Sequence, residues 1–232
     1  MIHIESLQKR YGSEVVLQIP ELTIRRGQTF GLVGNNGAGK TTLFRIMLDL
    51  VRPTHGRVLL EGEDVNTTEE WKSRVGSYLD EHMLLSYLTP DEYFETLRKI
   101  YGLSKEDLNL HLDRFTDIFN DEIRDKKKYI RDLSKGNLKK VGIAAAMLGY
   151  PELVILDEPF ENIDPSSQIK LKKLVENEKK DRNTTFLISS HDLTHVTDIC
   201  QRVGLLEKGT VARDLQGNKE TMVDALESYF AA

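Results

Sequence analysis

One glycine-rich segment constrains the fold of this chain more than any other feature. It matches the pattern G-x-x-x-x-G-K-[ST] at every fixed position and consists of Gly34, Asn35, Asn36, Gly37, Ala38, Gly39, Lys40 and Thr41. A short apolar run, 30–33, precedes it, and apolar residues at helical spacing follow it over 41–50. A strand, a glycine-rich turn and a helix in this order predict a loop whose backbone N–H groups surround phosphate oxygens.

The side chains at the end of this loop add a charge and a metal ligand. Lys40 is expected to neutralise the β- and γ-phosphates of a nucleotide, and the Thr41 hydroxyl is expected to ligate Mg²⁺. The helix that follows points the positive end of its dipole at the phosphates. We therefore predict nucleotide contacts from the whole loop and from Thr42, with Lys40 also serving catalysis.

Two carboxylates follow a second apolar run. Residues 153–156 are all apolar, and Asp157 and Glu158 come directly after them. Asp157, at the carboxyl end of the predicted strand, is placed to hold Mg²⁺ through its water shell. Glu158 points in another direction and can polarise a water for in-line attack on the γ-phosphate. Apolar strands often end in polar loops, so it is the phosphate loop elsewhere in the chain that makes this pair a candidate catalytic centre.

The order of the predicted elements indicates one α/β domain with an insert. Apolar strands alternate with helices in the first and last thirds of the chain, which predicts a parallel sheet covered on both faces. The middle is helical and charged, and a cap candidate, Thr89, followed by a proline and two acids marks its start. With 232 residues we expect a core lobe of about 1–88 and 141–232, with a helical subdomain inserted at about 89–140.

Composition excludes several classes of protein. The net charge is −5 and the pI is about 5.8, so no nucleic-acid partner is expected, and the lysine run 126–128 is typical of a solvated face. Cys200 is the only cysteine, which rules out an intrachain disulfide and favours the cytoplasm. The first residues lack the pattern of a signal peptide, and no apolar run reaches the roughly 18 residues of a membrane helix.

Further motifs resemble those of the ABC (ATP-binding cassette) ATPases. The segment 133–137, Leu-Ser-Lys-Gly-Asn, resembles the Leu-Ser-Gly-Gly-Gln signature of that family and lies shortly before the Asp157 strand, as the signature does there. His191 follows a predicted strand and resembles the switch histidine, Tyr11 stands where the family places an adenine-stacking ring, and Asp164 resembles the D-loop aspartate. These motifs occur in the family's order and extend over nearly the whole chain.

The resemblance implies a fold and a mode of action. The fold would be that of a P-loop NTPase of the ABC type, with a mostly parallel sheet core, an N-terminal antiparallel β subdomain and an inserted α-helical subdomain. The family pairs head to tail, so ATP bound at Lys40 of one copy would meet Ser134 and Gly136 of the other, near a helix that we expect to open around Leu138. His191 would contact the γ-phosphate and help to orient Glu158.

Three motifs, the signature, the Q-loop and the D-loop, depart from the family pattern. Lys135 replaces the first glycine of the signature, and Asn137 replaces its glutamine. Asp80 stands at the position of the Q-loop glutamine and is predicted to ligate Mg²⁺ in its place, with the neighbouring Glu81 as the alternative. The D-loop reads Glu-Asn-Ile over 161–163 instead of Ser-Gly-Leu. These changes leave nucleotide binding intact and bear on coupling and turnover.

The whole chain resembles the stand-alone ATPases of ABC-2-type exporters, whose membrane subunit is encoded separately. This implies ATP hydrolysis in a dimer, with itself or a paralogue, that powers a polytopic permease from the cytoplasmic face of the inner or plasma membrane. A groove formed over about 79–94 would receive the permease, through apolar residues expected to be exposed: Met83, Leu84, Leu85, Tyr87 and Leu88. The alternatives are a soluble ABC ATPase that acts on a protein machine, such as cluster assembly, and a nucleotide-binding module without turnover.

Overall fold

The computed structural model describes residues 1–230, and its strands form two sheets. The strands are β1 (Ile2–Tyr11), β2 (Glu14–Ile24), β3 (Thr29–Val33), β4 (His55–Leu60), β5 (Glu63–Asp64), β6 (Val75–Tyr78), β7 (Leu153–Leu156), β8 (Thr185–Ser190), β9 (Arg202–Glu207) and β10 (Thr210–Gln216). The helices are α1 (Lys40–Met47), α2 (Pro90–Ile100), α3 (Lys105–Asp113), α4 (Thr116–Phe119), α5 (Lys135–Ala146), α6 (Pro165–Arg182), α7 (Leu193–Ile199) and α8 (Lys219–Phe230).

The N-terminal sheet is antiparallel, with the strand order β2-β1-β4-β5. The sequence predicts two strands, 15–19 and 22–24, where the structure has the single strand β2. Pro20, between the two runs, lies exposed on an edge strand, where a missing N–H removes no internal ladder bond. The strand therefore continues through the proline.

The second sheet is the predicted parallel core. Its order is β10-β9-β3-β8-β7-β6, and only the β9–β10 hairpin is antiparallel. All residues of β3, β7 and β8 are buried, as expected of strands covered on both faces. Because β3 and β7 both flank β8, the carboxyl ends of these three strands meet at one edge of the sheet.

Side chains from the two faces of this sheet enter two separate hydrophobic clusters. Leu153 and Ile155 pack with α1 and the antiparallel sheet, whereas Val154 and Leu156 pack with α5 and the helical insert. This alternation along one strand follows from the two-residue period of β structure. The parallel sheet is thus the middle layer of the domain.

The helical insert has the predicted cap at its start. Thr89 caps α2 through its hydroxyl, which accepts from the Glu92 N–H at 3.3 Å, while the Glu92 carboxylate accepts from the Thr89 N–H at 2.8 Å. The signature helix α5 starts at Lys135 rather than near Leu138, because the Ser134 hydroxyl caps it. This helix runs without interruption across the predicted lobe boundary at 140/141, and 141–146 are buried.

Candidate functional site

The three adjoining strand ends bring distant parts of the chain together. The phosphate loop follows β3, Asp157 and Glu158 follow β7, and His191 follows β8. A cavity of about 230 Å³ lies at this edge of the sheet. It is lined by Val16, Asn35, Asn36, Gly37, Ala38, Gly39, Lys40, Thr41, Thr42, Asp157 and Glu158. The candidate residues of both sequence motifs thus face one space.

The phosphate loop is held by its own backbone and by a neighbouring turn. The Ala38 N–H donates to the Asn35 carbonyl at 3.0 Å, and the Ala38 carbonyl accepts from the Gly209 N–H at 3.0 Å. Gly39 has φ +107°, a conformation open to glycine and strained for other residues, and it precedes the first residue of α1. Asn35, Asn36 and Gly37 are exposed, so the loop presents its tip to solvent.

Lys40 is buried although it carries a charge. Its Nζ donates to the Gly34 carbonyl at 2.6 Å and lies 3.4 Å from Glu158 Oε1. The side chain is 7% exposed, so this cation is partly compensated by a carbonyl and a carboxylate. The ammonium is therefore confined to the space between the phosphate loop and the second motif.

Asp157 accepts hydrogen bonds at both carboxylate oxygens. Thr41 Oγ1 donates to Oδ2 and Ser189 Oγ donates to Oδ1. Burial raises the pKa of Asp157, an effect that the two hydroxyl donors oppose. The two predicted metal ligands, Thr41 and Asp157, are therefore in direct contact. Ser189 was not predicted as a site residue, although it lies only two residues before His191.

Glu158 is fixed from several sides. Its Oε2 lies 3.0 Å from His191 Nδ1 and accepts from the His191 N–H at 3.2 Å. Its own N–H donates to Ser189 Oγ at 2.9 Å, and its carbonyl accepts from Lys139 Nζ at 2.6 Å. The backbone has φ +47°, in the left-handed region that costs a non-glycine residue about 1–3 kcal/mol. These contacts hold the strained conformation in place.

His191 and Tyr11 differ in their relation to this site. His191 is half exposed and contacts Glu158, as its predicted role requires. Tyr11 lies at the end of β1, is 52% exposed and has the Lys9 ammonium 4.7 Å from its ring centroid. It is not among the residues that line the cavity, although Val16 of the neighbouring strand β2 is. Adenine stacking by Tyr11 stays a prediction, and Val16 is a lining residue that the sequence did not single out.

The signature residues lie outside the cavity of their own chain. Ser134 is exposed, and its hydroxyl accepts from the Asn137 N–H at 3.3 Å. A Cβ at Gly136 would lie 2.5 Å from the Asn162 carbonyl, so only glycine allows α5 to approach the D-loop this closely. The predicted contacts of Ser134 and Gly136 with a partner's nucleotide stay predictions.

The D-loop aspartate has a structural partner. Asp164 caps α6 by accepting from the Ser167 N–H at 2.9 Å, and its other oxygen lies 3.0 Å from Lys140 Nζ. These contacts, with the Ser167 N–H as the largest, hold the pKa of Asp164 well below its usual range. The signature helix and the D-loop are thereby joined within one chain.

Asp80 is engaged by the helix that follows the phosphate loop. Its Oδ2 lies 3.2 Å from Arg45 Nη2, and its Oδ1 accepts from the His82 N–H at 2.9 Å. Neither Asp80 nor Glu81 lines the cavity described above. A metal-binding role for either residue stays a prediction.

A cavity lies beside the segment 79–94, but only part of the predicted set of apolar residues is exposed there. A cavity of about 210 Å³ is lined by parts of β6, α2 and α5 and by the segment that follows β6. Met83 and Tyr87 are exposed, but Leu84 is only 7% exposed, so its predicted exposure is wrong. Leu85 and Leu88 are half-buried against the hydrophobic core that supports the insert. Within residues 1–230, no helix has the length and apolar character needed to cross a lipid bilayer.

Comparison with known proteins places this arrangement in one family. A sequence model of the ABC transporter family matches residues 17–161. The bacitracin transport ATP-binding protein BcrA of Bacillus licheniformis is 32% identical over 216 residues, which are 93% of this chain and 69% of that protein. BcrA of Enterococcus faecalis is 34% identical over 251 residues, an alignment that includes 100% of this chain and 77% of the relative.

A solved structure has the same fold. The dimeric structure of a post-hydrolysis state of the ATP-binding cassette MJ0796, bound to ADP and Pi, superimposes with a TM-score of 0.82 over 93% of this chain and 98% of that chain. At 22% identity this likeness shows the fold alone. Together with the family match and the two relatives, it shows that the chain is an ATP-binding and ATP-hydrolysing cassette that belongs to the ABC transporter family.

Proposed function

We propose that this chain hydrolyses Mg²⁺-bound ATP in a head-to-tail dimer and thereby powers a membrane permease. The observation that carries the catalytic part is the cluster at the three strand ends. Lys40, Asp157 and Glu158 line one cavity there, and His191 contacts Glu158. A phosphate-binding loop beside a carboxylate with a positioned histidine is the arrangement that phosphoryl transfer to water needs.

The phosphates would be bound by the loop and by Lys40. The backbone N–H groups of the loop and the N-terminus of α1 favour negative charge. Lys40 Nζ lies 3.4 Å from Glu158 Oε1, so a γ-phosphate that attracts this ammonium would weaken its pairing with Glu158. The carboxylate would then be free to accept a hydrogen bond from water.

The residues present fit a magnesium ion. Thr41 and Asp157 supply oxygen atoms in direct contact with each other, and Mg²⁺ prefers oxygen ligands together with waters and phosphates. Ser189 holds the second oxygen of Asp157 and so orients the carboxylate. The ion would neutralise charge that develops on the β- and γ-phosphates. Asp80 would join this set only after leaving Arg45.

Glu158 would orient and polarise the attacking water. Its Oε2 is held by two groups of His191, the backbone N–H and the ring Nδ1. This leaves Oε1, which is buried and has no hydrogen-bond donor in the described structure apart from the ion-pair contact with Lys40. A water that donates a hydrogen bond to Oε1 would satisfy this oxygen, and the lone pair of the water would then point at the γ-phosphate.

The dimer would complete each site from a second subunit, either a copy of this chain or a paralogue. Ser134 and Gly136 lie at the exposed start of α5, where the positive end of the helix can face a γ-phosphate bound by the partner. Lys135, in place of the usual glycine, would add a cation to this contact. ATP would hold the dimer together, and hydrolysis would remove that attraction.

The permease would bind at the groove beside α2. Exposed Met83 and Tyr87 lie next to a cavity lined partly by Tyr93 and Gly142, which suits a short helix of a membrane protein. The names of the two BcrA relatives favour a transport role, and we propose export as its direction. The chain would then lie on the cytoplasmic face of the membrane.

One experiment tests the transport assignment. A tagged Glu158→Gln variant, expressed in the native cells, is solubilised in detergent with ATP and purified, and the proteins that accompany it are identified. We expect a polytopic membrane protein in stoichiometric amount. Recovery with a soluble partner, or with none, would contradict the transporter role and leave the ATPase assignment intact.

A further inference from the structure

We propose that Lys139 is a positioning residue for ATP hydrolysis: its ammonium holds the Glu158 peptide unit so that the carboxylate faces the attacking water. The inference rests on the role proposed above for Glu158. Lys139 lies on the signature helix α5, whereas Glu158 follows β7, 19 residues later in the chain. Neither the motif positions nor the comparisons assign a role to this lysine.

The contact is short and sheltered. Lys139 Nζ donates to the Glu158 carbonyl at 2.6 Å and lies 3.5 Å from Glu161 Oε2. The lysine side chain is 12% exposed, and burial lowers its pKa. An exposed lysine would gain little from one carboxylate. A largely buried ammonium that donates to a carbonyl makes a charge-assisted hydrogen bond, which fixes the position of that carbonyl.

The peptide unit that receives this bond needs support. Glu158 has φ +47°, and Pro159 follows it. A side chain at positive φ is strained, and a following proline further restricts the conformations open to the residue before it. The Lys139 ammonium stabilises the carbonyl on one side of this residue, while Ser189 binds the N–H on the other. Without the ammonium, Glu158 could relax to a conformation in which its carboxylate no longer meets His191.

Lys140, next to Lys139, has a different partner, so the two lysines have different roles. Lys140 Nζ pairs with Asp164 at 3.0 Å and secures the start of α6, away from the carbonyl of Glu158. Lys139 has only two described partners, the Glu158 carbonyl and the exposed Glu161 carboxylate. Removing Glu161 therefore tests one contact of Lys139 while the other remains.

The test compares Lys139→Met, Lys139→Arg and Glu161→Gln by steady-state ATP hydrolysis, ATP binding and thermal unfolding of the full chain. We expect Lys139→Met to lower kcat about tenfold while KM and ATP affinity change less than about twofold. Lys139→Arg should restore most of kcat because it keeps the cation and its donors. Glu161→Gln should lower kcat less than Lys139→Met does, since the bond from Lys139 to the Glu158 carbonyl remains.

Three results would overturn the proposal. They are an unchanged kcat in Lys139→Met, an effect of Lys139→Met that only raises KM, and a loss of kcat in Glu161→Gln equal to that in Lys139→Met. If Lys139→Met does not fold, Lys139→Gln takes its place with the same expectations. The Glu158→Gln variant separates this inference from the proposed function. Should Glu158→Gln hydrolyse ATP normally, the role of Glu158 itself fails. If Glu158→Gln is slow and Lys139→Met adds no further loss to it, both assignments hold.

Discussion

Ser189→Ala offers a direct measure of how the catalytic carboxylates are supported. The Ser189 hydroxyl is fully buried, accepts from the Glu158 N–H at 2.9 Å and donates to Asp157 Oδ1. Alanine removes both contacts at once and adds no volume. It leaves a backbone donor and a buried carboxylate oxygen without these partners, and each such group costs about 1–3 kcal/mol. We therefore expect a loss of about 2–6 kcal/mol in the free energy of unfolding.

The assay is thermal and denaturant unfolding without nucleotide. For a chain of this size, each kcal/mol corresponds to about 2–4 °C, so Tm should fall by about 4–24 °C. Ser190→Ala is the matched control on the same strand, because its hydroxyl accepts only from the N–H of the exposed Asp192, at 3.0 Å. That control should lose about 1 kcal/mol or less. Equal Tm values for the two variants would refute the reasoning.

Three further outcomes are expected. Glu158→Gln should keep ATP affinity but lower kcat about 100-fold, and normal turnover would contradict this. On a sizing column it should form dimers with ATP and stay monomeric without nucleotide. Burial lowers the pKa of His111 from 6.5 to about 4, so between these pH values the unfolded chain binds a proton that the folded chain does not. The free energy of unfolding should therefore fall by about 3 kcal/mol as the pH drops through this window. Denaturant titrations should show that His111→Gln removes this pH dependence. Asp80→Ala should raise the Mg²⁺ concentration for half-maximal hydrolysis about tenfold, whereas Asp80→Asn, which keeps an oxygen ligand, should change it little. If both variants need the same Mg²⁺ concentration, Asp80 is not a metal ligand.

The local elements were predictable because their signals are local. The cap at Thr89 and the apolar strands around the phosphate loop follow from residues within a few positions of each other. The helix predicted at 41–50 begins at Lys40 and ends at Met47, since Asp49 takes a positive φ of 54°. The family assignment, the fold class and the ATPase assignment drawn from these motifs are confirmed. Boundaries and breaks, as at Pro20, depend on the sheet position that a residue occupies.

The supporting contacts of the site could not be predicted in the same way. Ser189 and Lys139 reach Glu158 from elements 31 and 19 residues away, and their contacts depend on how β8 and α5 lie against β7. No periodicity in the sequence carries that information. The catalytic motifs are visible because the chemistry demands their residue types, whereas many polar residues could serve as their supports.

At Asp80 the sequence and the structure each supply a different part of the explanation. The sequence alone places an aspartate where the family has glutamine, and it suggests a changed metal ligand. The structure adds Arg45, 35 residues earlier on α1, whose guanidinium pairs with that carboxylate at 3.2 Å. A neutral glutamine would gain less from this arginine, so the charge at position 80 has a partner on the helix that begins at Lys40. The aspartate therefore joins the segment beside the proposed permease groove to α1, the helix that follows the phosphate loop.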